Sequence, residues 1–337
     1  MKACIAGIEI DLPQRVVKNA DLAREHPNWD MDKIAERTGV LERHVCADDE
    51  TALDIGQRAS ERLLERLKLS PNDVGGVIFC TQTPDHLVPG NSGLLQDRLK
   101  LPTSIPAFDI THGCSGYVYG LFIAKSLIMS GAAKSILLVN ADSYLRLLHP
   151  DDRSTIPLLG DGGTASLIRA VDEGPGEIGE FSMGSDGGNA DIFMIEAGGA
   201  RVPRSAETCQ PIVDSTGSVR TAEYVKMDGP AVLAFVRKRV PPMVEELLEK
   251  AGHGMEVVDL VVPHQASALS LDYIQRWLEL PNEKSVCNMS DVGNLASASI
   301  PAALRKEELA GRLRPGMKVM LVSFGVGLSW GACLVDW

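Results

Sequence analysis

The sequence predicts an α/β protein built as an internal duplication. Helical patterns and short β-branched runs alternate along all 337 residues, the signature of layered helices and sheets. Two helix–strand units far apart in the chain read alike, and another pair of similar units lies elsewhere in it. The length itself suits two domains or one large duplicated unit better than a single small core.

In chain order, MKACIAGIEIDLP is an apolar run interrupted by Glu9 and Asp11 with no cleavage-like site, so it reads as a first strand and not as a signal peptide. Residues 52–68 (ALDIGQRASERLLERLK) carry apolar side chains at helical spacing, and Pro71, Asn72 and Asp73 end that pattern before the strand-like VGGVIFCT. The stretch FDITHGCSGYVYGLF (108–122) passes from a strand through a Gly pair into a helix, with Cys114 at the junction. A small-residue helix from Cys114 then leads to the strand ILLVNAD. Residues 172–226 are Gly-rich with few clear periods and read as long loops or an insertion. Residues 231–251 form a helix expected to break or kink at Pro241 and Pro242, followed by a Gly turn and VVDLVVPHQ, which mirrors the 52–68 unit. From Asn294 another small-residue helix leads to VMLVSFG, mirroring the unit that starts at Cys114. SFGVGLSWG (323–331) is a Gly-rich turn between two strand-like runs. The chain thus divides into an N-terminal half (1–171), a connection (172–226) and a C-terminal half (227–337), with Cys114 and Asn294 at corresponding helix starts.

Composition excludes several functions. Hydrophobic residues make up 45% and charged residues 23%, enough for a substantial core and against intrinsic disorder. A formal charge of −12, no basic block and 5% aromatics disfavour nucleic acid as a partner. No segment approaches the roughly 18 apolar residues that span a bilayer, so a cytoplasmic location is expected. The seven cysteines are scattered without C-x-x-C pairs, which predicts reduced thiols and neither a disulfide framework nor a metal site.

A cysteine at a helix N-terminus sits at the positive end of the macrodipole, where free backbone N–H groups favour its thiolate. Cys114 is therefore the candidate nucleophile and the thiol expected to alkylate fastest, with Gly113 and Gly116 permitting a tight turn and a close approach by substrate. His264 follows an apolar strand, where α/β folds place functional groups, although a lone histidine reads as readily as structural. Asn294 alone would serve as a helix cap. The glycines of SFGVGLSWG could present backbone N–H groups to a developing oxyanion.

Together HGCSGYVYGL, DDRST, LLGDGGTASLI, PHQA, GNLASASIP and FGVGLSWGACLV resemble the β-ketoacyl-acyl carrier protein synthase III family of the thiolase superfamily, over nearly the whole chain and in the expected order. The resemblance implies a duplicated, five-layered αβαβα thiolase-like fold and a homodimer. It makes Cys114 the acyl-accepting nucleophile, His264 and Asn294 the donors that stabilise the enolate of a decarboxylating malonyl thioester, and the backbone N–H groups of Cys114 and Val326 the second oxyanion hole. It implies no metal or redox cofactor, with substrates carried on coenzyme A or on the phosphopantetheine of an acyl carrier protein. Substrate contacts are implied for Arg37 and Thr38 in ERTGV, for Arg153, and for Gly229. Leu159, Ala266, Leu233 and Val88 complete that set; Val88 stands where relatives place a phenylalanine that reaches the partner's acyl pocket, so a wider pocket is expected.

Other substrate-facing positions depart from the family. Lys33 replaces a tryptophan that stacks on adenine, Trp29 is four residues too early, Pro230 and Leu233 replace an asparagine and a phenylalanine at the entrance, and Leu269 replaces a carrier-docking basic residue, with Arg276 nearby. Core chemistry kept alongside altered substrate contacts points to a specialised fatty acid or polyketide-type pathway and to a carrier-protein-borne donor. The second reading is transfer of the acyl group from Cys114 to an alcohol or amine. A non-enzymatic partner subunit and a cysteine hydrolase are weaker alternatives.

Overall fold

A computed structural model describes residues 1–172, 174–214 and 217–337. The strands are β1 (Lys2–Asp11), β2 (Arg15–Lys18), β3 (Glu42–Val45), β4 (Val77–Cys80), β5 (Ala107–Ile110), β6 (Ser135–Asp142), β7 (Gly162–Val171) and β8 (Glu177–Ser185). They continue with the short β9 (Phe193–Met194), β10 (Ile212–Val213), β11 (Val219–Arg220) and β12 (Lys226–Met227), then β13 (Leu260–Pro263), β14 (Lys318–Gly325) and β15 (Ser329–Asp336). The helices are α1 (Asn19–Glu25), α2 (Met31–Thr38), α3 (Ala52–Leu67), α4 (Asn91–Arg98), α5 (Gly116–Met129), α6 (Gly229–Ala251), α7 (Ala268–Trp277) and α8 (Ser299–Leu309).

Nine strands follow one hydrogen-bonded order, β13-β14-β15-β8-β1-β7-β6-β4-β5, in which β1 and β8 meet at a single register pair, Cys4 with Glu177. On either side of that junction the topology repeats. Outward from the junction the N-terminal set runs β1, β7, β6, β4, β5, and the C-terminal set runs β8, β15, β14, β13, extended by a parallel bridge between Val261 and Ser285 where a fifth strand would lie. The duplication read from the sequence is present in the strand order.

Side-chain alternation converts these sets into layers, because successive residues of a strand face opposite sides. On β6, Leu137 and Val139 pack with Leu53, Ile55 and Leu63 of α3, whereas Ile136 and Leu138 pack with Val118 and Leu121 of α5. On β14, Val319 and Leu321 face α5 together with Ile300 and Leu304 of α8, whereas Met320 and Val322 face Val236, Val240 and Leu247 of α6. The stack is αβαβα, with α5 and α8 as the middle layer. Strands covered on both faces explain why ILLVNAD and VMLVSFG read as nearly continuous apolar runs.

Three local expectations change. The helix over 231–251 starts at Gly229 and runs unbroken through Pro241 and Pro242. The carbonyls that lose their N–H partners belong to Arg237 and Lys238, on the exposed face of the helix and open to solvent. The segment 172–226 contains β8, which pairs with β15 from Ser185↔Ser329 to Glu177↔Asp336 and so belongs to the C-terminal sheet. Its alternation is obscured in the sequence by three glycines in the span Gly176–Gly184, by Glu177 and Glu180, and by a register shift between its Ile178 and Phe181 pairings. Asn294 also stands farther from its helix than Cys114 does: a 3₁₀ turn, Ala296–Ala298, intervenes before α8.

Candidate active site

The site gathers at the carboxyl end of β14. Cys114 lies in the turn before α5, with Ser115 as the residue that precedes the first helical turn. The residue is 7% exposed, and the backbone N–H groups of Cys114 and Val326 face its thiol. The turn after β14 is held against it by side chains, since Ser115 Oγ lies 2.7 Å from Ser329 Oγ, which donates to the Val326 carbonyl at 2.8 Å. Gly325 makes this approach possible, because a Cβ there would lie 2.5 Å from Cys114 Cβ. SFGVGLSWG is thus both a hairpin turn and the presenter of the Val326 N–H.

The glycines around the nucleophile serve packing where a substrate approach was expected. A Cβ on Gly113 would lie 2.5 Å from Gln82 Oε1, and one on Gly116 would lie 2.4 Å from Cys80 Sγ. The thiolate expectation also changes. Burial, followed by the nearby Asp142 carboxylate, pushes the Cys114 thiol up to about 12 against the opposing pull of the two backbone N–H groups. Desolvation outweighs the helix terminus here. Cys209 and Cys287 are the exposed thiols, whereas Cys114 is buried.

His264 follows β13, its N–H donating to the Val322 carbonyl at 2.7 Å, and its ring meets Phe324 edge-on at 5.5 Å. Nδ1 lies 2.6 Å from Ser299 Oγ, at the first residue of α8. Burial pushes the imidazole down to about 3, so it is neutral at physiological pH. Asn294 is held on both sides: its N–H donates to Leu158 at 2.9 Å, Gly160 N–H donates to its carbonyl at 3.1 Å, and Leu159 bridges to it. Gly160 is required here, as a Cβ would meet Val292 O at 2.2 Å. The amide orientation is set by the Ala296 N–H, which donates to Asn294 Oδ1 at 2.9 Å, leaving Nδ2 directed to the Ala266 carbonyl at 3.4 Å. Fully buried Arg43 braces this strand–loop contact from behind, donating to the carbonyls of Val17 and Pro157 and to Asn19 Oδ1.

Asp142, at the end of β6, is not evident from the sequence. It is 1% exposed and accepts from Thr81 Oγ1 at 3.0 Å, Gln82 N–H at 2.7 Å, Thr83 Oγ1 at 3.3 Å and Ser297 Oγ at 3.1 Å. Burial raises it to about 6 despite those donors. The available signal is an acidic residue closing an apolar strand, the position where α/β sheets place functional groups. Ser299 and Phe324 are equally hard to find, lying inside motifs otherwise explained by their neighbours.

The remaining substrate positions spread outward. Arg37 is exposed in the last turn of α2, while Thr38 closes that helix by donating to the Ile34 carbonyl at 2.8 Å. Gly39 ends it at φ +74 and lets it abut Ala268 of α7. Gly229 and Leu233 lie in the first turns of α6, Arg153 is half-buried, Leu159 is buried beside Asn294, and Val88 is 84% exposed. Lys33 Nζ pairs with Asp30 at 3.2 Å. Trp29 has one ring face stacked on His26 at 3.8 Å. Among the described residues no His, Cys, Asp and Glu cluster of three or more is gathered for a metal, and no helix is long and apolar enough to cross a membrane.

A five-layered αβαβα duplication, with Cys114 before one middle-layer helix, Asn294 before the other and His264 packed on Phe324 of β14, has the architecture of a thiolase-fold enzyme. Residues 108–187 match the family model of 3-oxoacyl-[acyl-carrier-protein] synthase III, and residues 248–337 match that of its C-terminal part. The chain is 36% identical over 334 residues to β-ketoacyl-[acyl-carrier-protein] synthase III 3 of Streptomyces coelicolor, covering 99% of this chain and 96% of that protein. A solved 3-oxoacyl-(acyl-carrier-protein) synthase III superposes with a TM-score of 0.98 at 40% identity over all of both chains. The priming β-ketosynthase of the R1128 polyketide pathway superposes with a TM-score of 0.86 at 26% identity, covering 99% of this chain and 96% of that one. The chain belongs to the 3-oxoacyl-[acyl-carrier-protein] synthase III family and is an acyltransferase.

Proposed function

We propose that the protein loads an acyl group onto Cys114 and condenses it with a malonyl thioester. In the first half-reaction the thioester C–S bond of the donor breaks, a bond forms from the acyl carbon to Cys114 Sγ, and the donor thiol leaves with a proton. In the second, the malonyl C–C bond breaks, CO2 departs, and the resulting enolate carbon attacks the acyl-Cys114 carbonyl, after which Sγ leaves and regains a proton. Two neutral donors, His264 and Asn294, suit an enolate oxygen because they stabilise charge that develops in the transition state without carrying charge into a buried site. The N–H groups of Cys114 and Val326, facing the thiol, suit the tetrahedral oxyanion.

The observation that carries this reading is a buried thiol faced by two backbone donors on a turn that follows the strand against which a neutral His264 packs. A cysteine hydrolase needs a histidine that takes the thiol proton, and a group held near 3 does not. The homodimer is supported by adjacent Leu87 and Val88, 98% and 84% exposed, a contiguous apolar pair that gains by burial in a partner. Lys33, tied to Asp30, and Trp29, half covered by His26, favour a donor without an adenine to stack, that is, a carrier protein. The altered entrance residues support a specialised fatty acid or polyketide-type pathway, and a cytoplasmic location suits those substrates.

The test is intact-mass measurement after incubation with acyl thioesters, paired with CO2 release from malonyl thioesters. An acyl adduct on Cys114 and CO2 release are expected. Adduct formation without CO2, with acyl groups appearing on an alcohol or amine, rejects condensation for simple transfer.

A further inference from the structure

A neutral imidazole has one N–H, and which nitrogen carries it decides whether His264 donates or accepts at the reacting atoms. The neighbours of Nδ1 decide that here. Ser299 Oγ lies 2.6 Å from Nδ1, and both residues are buried, at 3% and 1% exposure. Two serines inside other helices of this chain turn their hydroxyls to the carbonyl one turn earlier: Ser60 donates to Gly56 at 2.6 Å and Ser126 to Phe122 at 2.8 Å. Ser299 makes no such bond, and Nδ1 is its hydrogen-bond partner among the described residues. A buried hydroxyl proton with one acceptor in reach points at that acceptor, since an unsatisfied buried donor is costly. Nδ1 then accepts and the ring proton resides on Nε2.

We infer that Ser299 is a positioning residue that fixes His264 in the Nε2–H tautomer, so that the imidazole donates toward the extender thioester. This rests on the enolate-stabilising role given to His264 above. Neighbouring Ser297 supplies an internal control, because its hydroxyl donates to Asp142 Oδ2 at 3.1 Å. The middle-layer segment thereby assigns one hydroxyl to each half of the site: Ser297 to the buried acid beside the nucleophile, Ser299 to the histidine.

The experiment is long-range ¹H–¹⁵N correlation of ¹⁵N-histidine-labelled protein, with His264 assigned by its loss in His264→Gln. In the unmodified chain Nδ1 is expected to resonate as an unprotonated ring nitrogen and Nε2 as a protonated one. Ser299→Ala should populate the opposite tautomer and slow CO2 release roughly tenfold, the scale of one lost hydrogen bond, with acylation of Cys114 unchanged. Ser299→Thr should restore both, and Ser297→Ala should leave the His264 tautomer as it was. A proton on Nδ1 in the unmodified chain, or an unchanged tautomer in Ser299→Ala, overturns the inference. A tautomer that shifts in Ser299→Ala with no loss of CO2 release supports the positioning by Ser299 and overturns the enolate role of His264.

Discussion

The two halves place a helix at the same layer of the stack and use its start for opposite chemistry. In the N-terminal half the chain enters α5 within two residues of Cys114, so backbone N–H groups are concentrated around a single atom. In the C-terminal half a 3₁₀ turn delays α8, Ala296 adopts φ +47, and the N–H that a helix cap would leave free is given to Asn294 Oδ1. The first arrangement binds charge with the backbone; the second consumes backbone donors to aim an amide. Duplication therefore provides two helix starts in one layer, and the few residues before each decide whether its backbone N–H groups face a thiol or are used to orient an amide.

That comparison breaks most severely at the nucleophile. Cys114→Ala should reduce acylation by roughly a thousandfold or more, as loss of a covalent nucleophile does, with no adduct moving to the other six cysteines. Intact mass and peptide mapping check it, and an adduct persisting on Cys209 or Cys287 would place the nucleophile elsewhere. One step smaller, Asn294→Ala should cut CO2 release about 100-fold, the usual loss for one oxyanion donor, while acylation of Cys114 continues. Equal loss of both half-reactions would mean that the two helix starts do not divide the labour.

Much of this is legible in the sequence because duplication and layering are patterning effects. The runs ILLVNAD and VMLVSFG betray strands buried on both faces, and the motifs around Cys114, His264 and Asn294 identify the family, its fold and its enzyme class. Charge states are not legible, because they depend on groups distant in sequence. Cys114 reads as an activated thiol from its helix start, yet burial and Asp142, 28 positions later, reverse the direction. The glycine pair reads as room for a substrate, yet Gln82 and Cys80 fill the space. β8 is hidden because it pairs with β15, nearly 150 residues onward.

Asp142 offers a sharper test, since it touches both halves: the loop after β4 through Thr81 and Gln82, and the approach to α8 through Ser297. Its carboxylate raises the Cys114 thiol, so removing the charge should lower the thiol and speed acylation. Ionisation occurs at about 6, which fixes the window. Below that pH the acid is neutral and opposes the thiolate less; above it the charge is present and opposes it more. The acylation rate of the unmodified chain should therefore rise with pH, flatten just above about 6 as Asp142 charges, and rise again, whereas Asp142→Asn should give one uninterrupted rise. Above the step the variant should be about threefold to tenfold faster. Parallel profiles would remove Asp142 from the nucleophile's electrostatics.

The smallest expected effect lies at the outer rim, where the C-terminal helix α7 meets α2 around Gly39 and Ala268. Lys33 on α2 is mostly exposed and tied to Asp30, so it offers neither a stacking face nor a free charge to a nucleotide. Lys33→Trp restores an aromatic plane. Base stacking is worth about 1 to 3 kcal/mol in enclosed sites, and an exposed position should realise the lower end, roughly fivefold. The Michaelis constant should fall by that factor for an acyl group on coenzyme A and stay unchanged for the same group on a carrier protein, because the latter brings no adenine. The pairing of the two donors makes the outcome decisive: an equal fall for both would mean that tryptophan improved a contact with the shared phosphopantetheine arm. No change with coenzyme A would mean that position 33 does not meet the adenine, which rejects the stacking argument.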